Sequence, residues 1–469
     1  MITLMLPAIV IDIARGMTIA VFAVAVARAL LPLIGRRWVA AMLAAWLAIP
    51  ALAIAYAWAL NALPWLQMSA MQPVLHVMIA AIRLAPAALA MVLLAPSPPL
   101  GAAGYHCLKL MHGGGAWCRP RLLWAWWTRG PGRAWLVASL LLFPLGFSEF
   151  EIGSRFAIGV WSVRLFDAQS GGQLLSHTLG QAWPGIAAQI TAMAVAYALM
   201  RRSGLSRSLA VPAVSPLAWG AFVLGSIALI GAPLTLMLRD TVIGIGGAGT
   251  IGIASEIIAS VVFATAAATC AWLAASAISR STGRLSVARV VLLPLLIAVS
   301  MCGSLVIGLV VLALFQSPII RNFAGTPLPL LLALVILLLP YAVILRAFVE
   351  SRRRSSAWHI TTLMRAGTVD HRRDAAAMRW KLVGTRRWWS WSLLFLWGYA
   401  DLAASAILHP VDMTPVLVLL YNFMHYGRSA GLSLRLGLAV VVPLALVIIG
   451  CWAMRGIAMR VSSRPAVST

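Results

Sequence analysis

The sequence predicts an all-α polytopic membrane protein with about eleven transmembrane helices in two homologous halves. Three observations lead to this fold class. The 469 residues are 62% hydrophobic and only 10% charged, with a mean hydropathy of +0.95, whereas a soluble domain carries roughly 25% charged residues. Long apolar segments recur along the chain, with basic loops between them. Two distant stretches of the chain also resemble each other.

The apolar segments are long enough to cross a bilayer, which takes about 20 consecutive apolar residues. Seven are clear, at residues 38–60, 72–94, 217–238, 254–278, 290–315, 328–348 and 434–453. Four are less uniform, at residues 17–34, 134–152, 183–200 and 388–408. Because these segments are apolar nearly all round, they differ from the amphipathic helices of a soluble core, which carry a polar face.

The formal net charge of +25 reflects topology. Lys and Arg gather at residues 36–37, 109–133, 201–207, 280–289 and 352–387 and beyond residue 455, and these loops alternate with the eleven segments. Basic loops are retained on the cytoplasmic side, so the C-terminus is predicted inside and Met1 outside. A nucleic-acid partner is not predicted, because nucleic-acid binding needs its charge on a water-soluble face.

An internal repeat relates residues 1–205 to residues 206–469. "RLAPAALAMVLLAPS" and "YHCLKLMHGGG" match "LLLPYAVILRAFVES" and "WHITTLMRAGT", and "LLLFPLGFSEFEIGS" matches "SLLFLWGYADLAASA". The first half shows no counterpart of segment 217–238, which suggests either a lost helix or a native start upstream of Met1; the upstream start is favoured. The landmarks in register are Pro86 with Pro340, His106 with His359, Gly114 with Gly367 and Glu149 with Asp401.

The stretches "LPYAVILRAF", "LLFLWGYADLAASAIL" and "MTPVLVLLYNFMHYGRSA" resemble permease subunits of ABC importers, of the iron(III)/thiamine type in which two permease modules are fused. The resemblance covers about residues 70–200 and 325–455. It implies an inner-membrane permease of a bacterial cell, driven by a separate ABC ATPase dimer. It also implies a periplasmic substrate-binding protein as a partner. The cargo that it implies is of the iron(III) type, with thiamine-like and phosphonate-like solutes as alternatives.

Permeases of this family carry an EAA…G motif in an inner loop, which docks on the ATPase. Here "HCLKLMHGG" and "HITTLMRAG" occupy the equivalent places, without the acids and alanines of the motif. The resemblance therefore implies coupling loops marked by His106 and Gly114 in the first half and by His359 and Gly367 in the second. The alternative is a pair of exposed histidines on basic loops.

Ionisable residues inside apolar segments are functional candidates. Arg83 lies near the middle of its segment, and Glu149 and Asp401 lie at equivalent outer ends of theirs. Because transport paths run between repeats, these three residues are predicted to line a translocation pathway, with the two carboxylates facing each other. The alternative is a polar outer vestibule without selectivity.

The outer segment "YNFMHYGRSA" and its acidic first-half equivalent "LFDAQSGG" are predicted to contact the substrate-binding protein. A metal site is not predicted there, since one histidine and two tyrosines are too few ligands. The predicted contact residues are Asp167, Tyr421, Asn422, His425, Tyr426 and Arg428.

No catalytic constellation is present, and the chain is predicted not to be an enzyme and to need no cofactor. A Walker phosphate loop requires GxxxxGK[ST], whereas Lys109 and Lys381 are the only lysines and neither follows such a loop. Two alternatives stay open beside the importer subunit. One is a self-contained secondary transporter, since these also have internal repeats, and the other is a degenerate permease that acts as a membrane scaffold.

Overall fold

The described part of the chain is helical and contains no β-strand in a computed structural model. The structure describes residues 2–94, 98–111, 119–201, 213–244, 253–280, 299–351, 356–364, 369–425 and 432–462. Within these ranges seven helices are long and apolar enough to cross a membrane, or up to nine if each of two bent helix pairs is one span. The all-α polytopic membrane fold is confirmed, while the count of eleven spans stays a prediction.

The chain forms two compact units. Unit 1 comprises Met1–Arg239 and Met301–Val306, and unit 2 comprises Asp240–Ser300 and Ile307–Thr469. The predicted boundary between residues 205 and 206 separates the two sequence repeats, whereas the two units are separated by their internal packing. The repeat boundary therefore stays a prediction. The helix that follows this boundary belongs to unit 1 by its packing.

Unit 1 is organised around its first long helix, α1, which packs against α5 and α8, while α11 packs against α8. The helices of this unit are α1 (Ile2–Leu30), α2 (Arg37–Ala48), α3 (Ala51–Asn61), α4 (Leu63–Leu66), α5 (Met71–Leu94), α6 (Ala102–Met111), α7 (Arg119–Thr128), α8 (Arg133–Phe147), α9 (Glu151–Arg155), α10 (Trp161–Ser170), α11 (Leu175–Arg201) and α12 (Pro216–Ser226).

Unit 2 is organised in the same way around α14, which packs against α16 and α19. Helix α13 (Ala232–Gly244) follows α12 and runs into this unit. The further helices are α14 (Ala254–Arg280), α15 (Ser304–Phe315), α16 (Leu328–Ser351), α17 (Ser356–Met364), α18 (Val369–Arg379), α19 (Thr385–Tyr399), α20 (Ala403–Leu408), α21 (Val416–His425) and α22 (Leu432–Ser462).

Seven helices follow one another in the same order in each unit. In unit 1 a long helix with an internal proline, Pro86, is followed by two helices of ten residues, a longer apolar one, a very short one, another of ten residues and a final long one. In unit 2 the helices from α16, which contains Pro340, to α22 follow with similar lengths.

Several predicted spans are interrupted. Segment 38–60 is two helices at 84° to each other, broken before Pro50, which caps the second helix and has no N–H to continue the first. Segment 290–315 lies partly outside the described residues, and its described part is interrupted at Gly303, where φ is +92°. Segments 134–152 and 388–408 end their first helix at Phe147 and Tyr399, and a short helix follows each.

Helix α12 belongs to unit 1 because aromatic side chains hold it there. The Trp219 ring stacks on the Trp38 ring with their centroids 5.6 Å apart. The indole N–H of Trp58 donates to the carbonyl of Ala228 at 2.8 Å, in the π-helical turn Ile227–Gly231 that follows α12. A π-turn shifts the backbone hydrogen bonds, and here an indole satisfies one of the carbonyls.

Gly225 permits the closest contact of this helix. A Cβ at this position would lie 2.2 Å from Cη2 of Trp46, which is fully buried. We expect Gly225→Ala to destabilise the protein by about 1 kcal/mol or more through overpacking, measured as a lower midpoint of thermal unfolding in detergent. Gly220→Ala on the same helix is the control, because nothing lies within 4 Å of that position; equal midpoints for both variants would contradict this packing.

Candidate functional site

Ionisable side chains of four helical segments of unit 1 come together inside the unit. Asp12 on α1, His76 on α5 and Glu149 after α8 are 4%, 1% and 8% exposed. Arg164 on α10 reaches Asp12. We call this group, together with Arg15 and Arg83 described below, the buried ionic cluster.

Glu149 is the acceptor at the centre of the cluster. Its carboxylate accepts the backbone N–H groups of Ile152 at 2.8 Å and Gly153 at 3.1 Å, so it caps the short helix α9. One carboxylate oxygen also lies 2.9 Å from Nε2 of His76.

The backbone around Glu149 fits this contact closely. The hydroxyl of Ser162 donates to the Glu149 carbonyl at 2.7 Å. A Cβ on Gly153 would lie 2.8 Å from Cγ2 of Val160 and 3.7 Å from Nε2 of His76. Glycine at position 153 therefore lets the capped turn pack closely against Val160, whereas the distance to His76 is an ordinary contact.

A second ion pair ties α1 to α10. The guanidinium of Arg164 lies 2.5 Å from Oδ2 of Asp12 and also donates to the carbonyl of Gly159. Arg15, one turn further along α1, lies 3.1 Å from the other oxygen of Asp12. A carboxylate this deeply buried needs such partners, because an isolated buried charge is costly.

Arg83 adds positive charge to the cluster. It lies seven residues after His76 on α5, on the same face of the helix, and its charge acts on Glu149. Its Nε is buried without a hydrogen bond among the described residues. Three guanidinium groups against two carboxylates give the cluster a positive formal charge.

Among the described residues, the equivalent place in unit 2 contains the carboxylate of Asp401 and a link between helices through a hydroxyl group. Asp401 is buried and accepts the backbone N–H of Ser405 at 3.2 Å, so it caps α20 as Glu149 caps α9. The link between the first long helix and the outer helix is here the hydroxyl of Ser260, which accepts the N–H of Val416 at 2.8 Å. The two units therefore join these helices differently, by an ion pair in unit 1 and by a hydroxyl in unit 2.

The predicted site residues lie in different environments. Arg83 and Glu149 belong to the buried ionic cluster, whereas Asp401 has the capping role just described. His106 and His359 are exposed on the short helices α6 and α17, and Asp167, Asn422 and His425 are exposed on α10 and α21. Tyr421 is buried, with its ring 4.4 Å from the His425 ring. Gly114, Gly367, Tyr426 and Arg428 lie outside the described residues.

Sequence reasoning missed Asp12, His76 and Arg164. Asp12 precedes the predicted segment 17–34, but α1 begins at Ile2, and His76 forms no metal-ligand spacing. An ionisable residue in an apolar stretch is the pattern that could have identified them, and Asp12 and His76 both fit this pattern. No group of three or more potential metal ligands occurs within the described residues.

The fold and the cluster define the class of protein as a polytopic α-helical membrane protein with ionisable side chains buried between its helices. Comparison of the chain with protein-family models, curated proteins and solved structures finds no match.

Proposed function

We propose that the chain is the permease subunit of an ABC importer, made of two homologous halves and driven by a separate ATPase. The observation that carries this proposal is the recurrence of a short exposed helix after the proline-containing span in each unit, α6 and α17. Such a helix, fixed to the rest of the unit and presenting apolar side chains, is suited to docking on a partner.

Both short helices are attached to the next helix through equivalent aromatic residues. The hydroxyl of Tyr105, next to His106, donates to the carbonyl of Leu122 on α7 at 3.2 Å. Trp358, next to His359, has the Arg379 guanidinium of α18 over its ring at 4.5 Å. A force applied to either short helix would therefore be passed to the rest of its unit.

Apolar side chains at the free ends of these helices are left for a partner. Leu110 and Met111 on α6 are 69% and 83% exposed, and Leu363 on α17 is 75% exposed. Exposed apolar anchors on a rigid helix are typical of helix-in-groove docking. We assign the ATPase dimer as the partner because the basic loops predict that this side of the protein faces the cytoplasm.

The remaining parts of the proposal follow from the resemblance. A periplasmic substrate-binding protein would contact the outer surface at α10 and α21, and the cargo would be of the iron(III) type. Glu149 and Asp401, with Arg83, stay the proposed pathway residues. The protein would be located in the bacterial inner membrane, with its C-terminus in the cytoplasm.

Site-specific photo-crosslinking in native membranes tests the ATPase contact. A photoreactive phenylalanine analogue at Leu110 or Leu363 is expected to capture a protein with a nucleotide-binding motif, identified by mass spectrometry. A probe at Ile360, which is half exposed on α17, should capture the same protein. Combining that probe with Leu363→Glu should lower its capture about tenfold, the effect of one lost interface anchor.

The control probe replaces Ile319, which is 90% exposed and lies on the predicted outer side, so it should capture no ATPase. A normally folded protein that captures no nucleotide-binding partner from either short helix contradicts the proposal.

A secondary transporter is the second candidate, favoured by the buried ionic cluster, since ionisable groups at membrane depth serve proton and ion coupling. It predicts solute uptake into protein-containing liposomes driven by an ion gradient without ATP. If an ATPase is captured but its ATP hydrolysis is never stimulated, the result would instead favour a degenerate permease that acts as a membrane scaffold.

A further inference from the structure

A cavity of unit 2 lies between the ends of three helices. Its volume is about 330 Å³, and it is lined by Trp272, Leu273, Ser276, Ala277, Arg346 and Arg387. These residues come from the C-terminal parts of α14 and α16 and the N-terminal part of α19. In the sequence, α14 and α16 lead directly into the basic segments 280–289 and 352–387.

Two arginines line the cavity. Arg346 is 6% exposed, and its Nε donates to the Glu350 carboxylate at 2.8 Å. A guanidinium has five N–H donors, so this contact leaves the terminal nitrogens of Arg346 for the cavity. Arg387 lines the cavity from α19. Paired guanidinium groups suit a phosphate, because their forked donors match its oxygens.

The cavity also continues onto an apolar surface. Leu273 lines it and is largely exposed, as are Val262 and Ile258 further along the same face of α14. Residues 258 to 273 extend about 22 Å at 1.5 Å per residue, which exceeds half of the roughly 30 Å hydrocarbon core. A ligand with a phosphate and a long acyl chain fits this combination, and inorganic phosphate would use only part of it.

A cavity in unit 1 has a different lining from the cavity in unit 2. A described cavity of this unit, of about 180 Å³, is lined only by apolar residues, among them Leu43, Leu47 and Leu89. Without a guanidinium it has no group to bind a phosphate. A basic lining is therefore not a general property of the cavities between helices in this protein.

We propose that the cavity lined by Arg346 and Arg387 binds the phosphate group of an anionic phospholipid, whose acyl chain lies along the exposed face of α14. Basic pockets between membrane helices on the cytoplasmic side bind such headgroups. The site is independent of the ATPase and of the transported solute, so it does not depend on the proposed function.

Native mass spectrometry of the full chain in detergent tests the site, with phosphatidylglycerol as the probe. We expect retained phosphatidylglycerol, about fivefold weaker binding for Arg387→Ala, and a further loss for Arg387→Ala combined with Arg346→Gln, following about 1 kcal/mol per basic residue. Arg321→Ala, an exposed arginine elsewhere in unit 2, is the control and should bind as the wild type does.

Competition binding experiments distinguish a phospholipid headgroup from free inorganic phosphate as the ligand. Excess inorganic phosphate should not displace the lipid, and diacylglycerol, which has no phosphate, should not be retained. Displacement by inorganic phosphate overturns the lipid assignment, as does equal retention of diacylglycerol or unchanged binding by Arg387→Ala. The competition experiment with the wild-type protein tests the lipid assignment even if the Arg346→Gln variant does not fold.

Discussion

Glu149→Ala is expected to destabilise the protein by about 3–5 kcal/mol, the range for breaking a buried charged contact. The substitution leaves the N–H groups of Ile152 and Gly153 without their acceptor and removes the contact with Nε2 of His76. Each unsatisfied buried donor costs about 1–3 kcal/mol. The measurement is the midpoint of thermal unfolding, followed by size-exclusion chromatography of the heated protein in detergent.

Two further variants test whether the expected loss of stability is specific to the carboxylate of Glu149. Glu149→Gln keeps one carbonyl acceptor and should lose less stability than the alanine variant. Asp401→Ala should lose about 1 kcal/mol, the usual effect of a helix cap, because the hydrogen bonds of its carboxylate with Ser405 are those of a cap. If Glu149→Ala melts at the wild-type temperature, the carboxylate does not hold this part of unit 1 together.

The same residues allow the pathway hypothesis to be separated from a structural role. Asp401→Asn removes the charge and keeps an oxygen that can cap α20. Transport that falls while folded yield and melting midpoint stay normal supports a place for Asp401 on the pathway. Unchanged uptake by this variant contradicts it.

Arg164→Ala is expected to destabilise the protein by about 2–3 kcal/mol, at the upper end of the range for a hydrogen bond to a charged group. It removes the main partner of Asp12, a carboxylate that is almost completely buried. The loss stays below that of Glu149→Ala because Arg15 still contacts Asp12 and because Arg164 itself is partly exposed.

A double-mutant cycle measures this ion pair directly. In the Asp12→Asn background, Arg164→Ala should cost clearly less than in the wild type, which gives a coupling energy between the two positions. Asp167→Ala, an exposed residue on the same helix α10, is the control and should leave the melting midpoint unchanged. Additive losses in the cycle would show that Asp12 and Arg164 act independently.

Local sequence patterns predicted much of the fold because membrane insertion is a local property. Segments 72–94, 254–278 and 434–453 each occur as one long helix, since the cost of transferring a segment into lipid adds up along the segment itself. The interruptions at Pro50 and Gly303 were harder to predict. A proline is tolerated inside α5 and α16, and only neighbouring helices decide whether a proline kinks a span or ends it.

The candidate site could be predicted only in part. Glu149 and Arg83 stood out as charges in apolar segments, but His76 lies 73 residues from Glu149, and Asp12 lies 152 residues from Arg164. No spacing rule connects residues so distant, because their contact depends on how α1, α5, α8 and α10 pack. The capping roles of Glu149 and Asp401 likewise became visible only with the helices that they cap.

The sequence by itself determined that this is an all-α membrane protein, because composition and hydropathy govern the transfer of each segment into lipid. Only the tertiary structure decided which charges are buried together, where spans break, and that a cavity of one unit is basic while a cavity of the other is apolar. The physical reason is that burial and pairing are properties of packed surfaces. Those surfaces are assembled from residues far apart in the chain, and hydropathy along the chain carries no information about them.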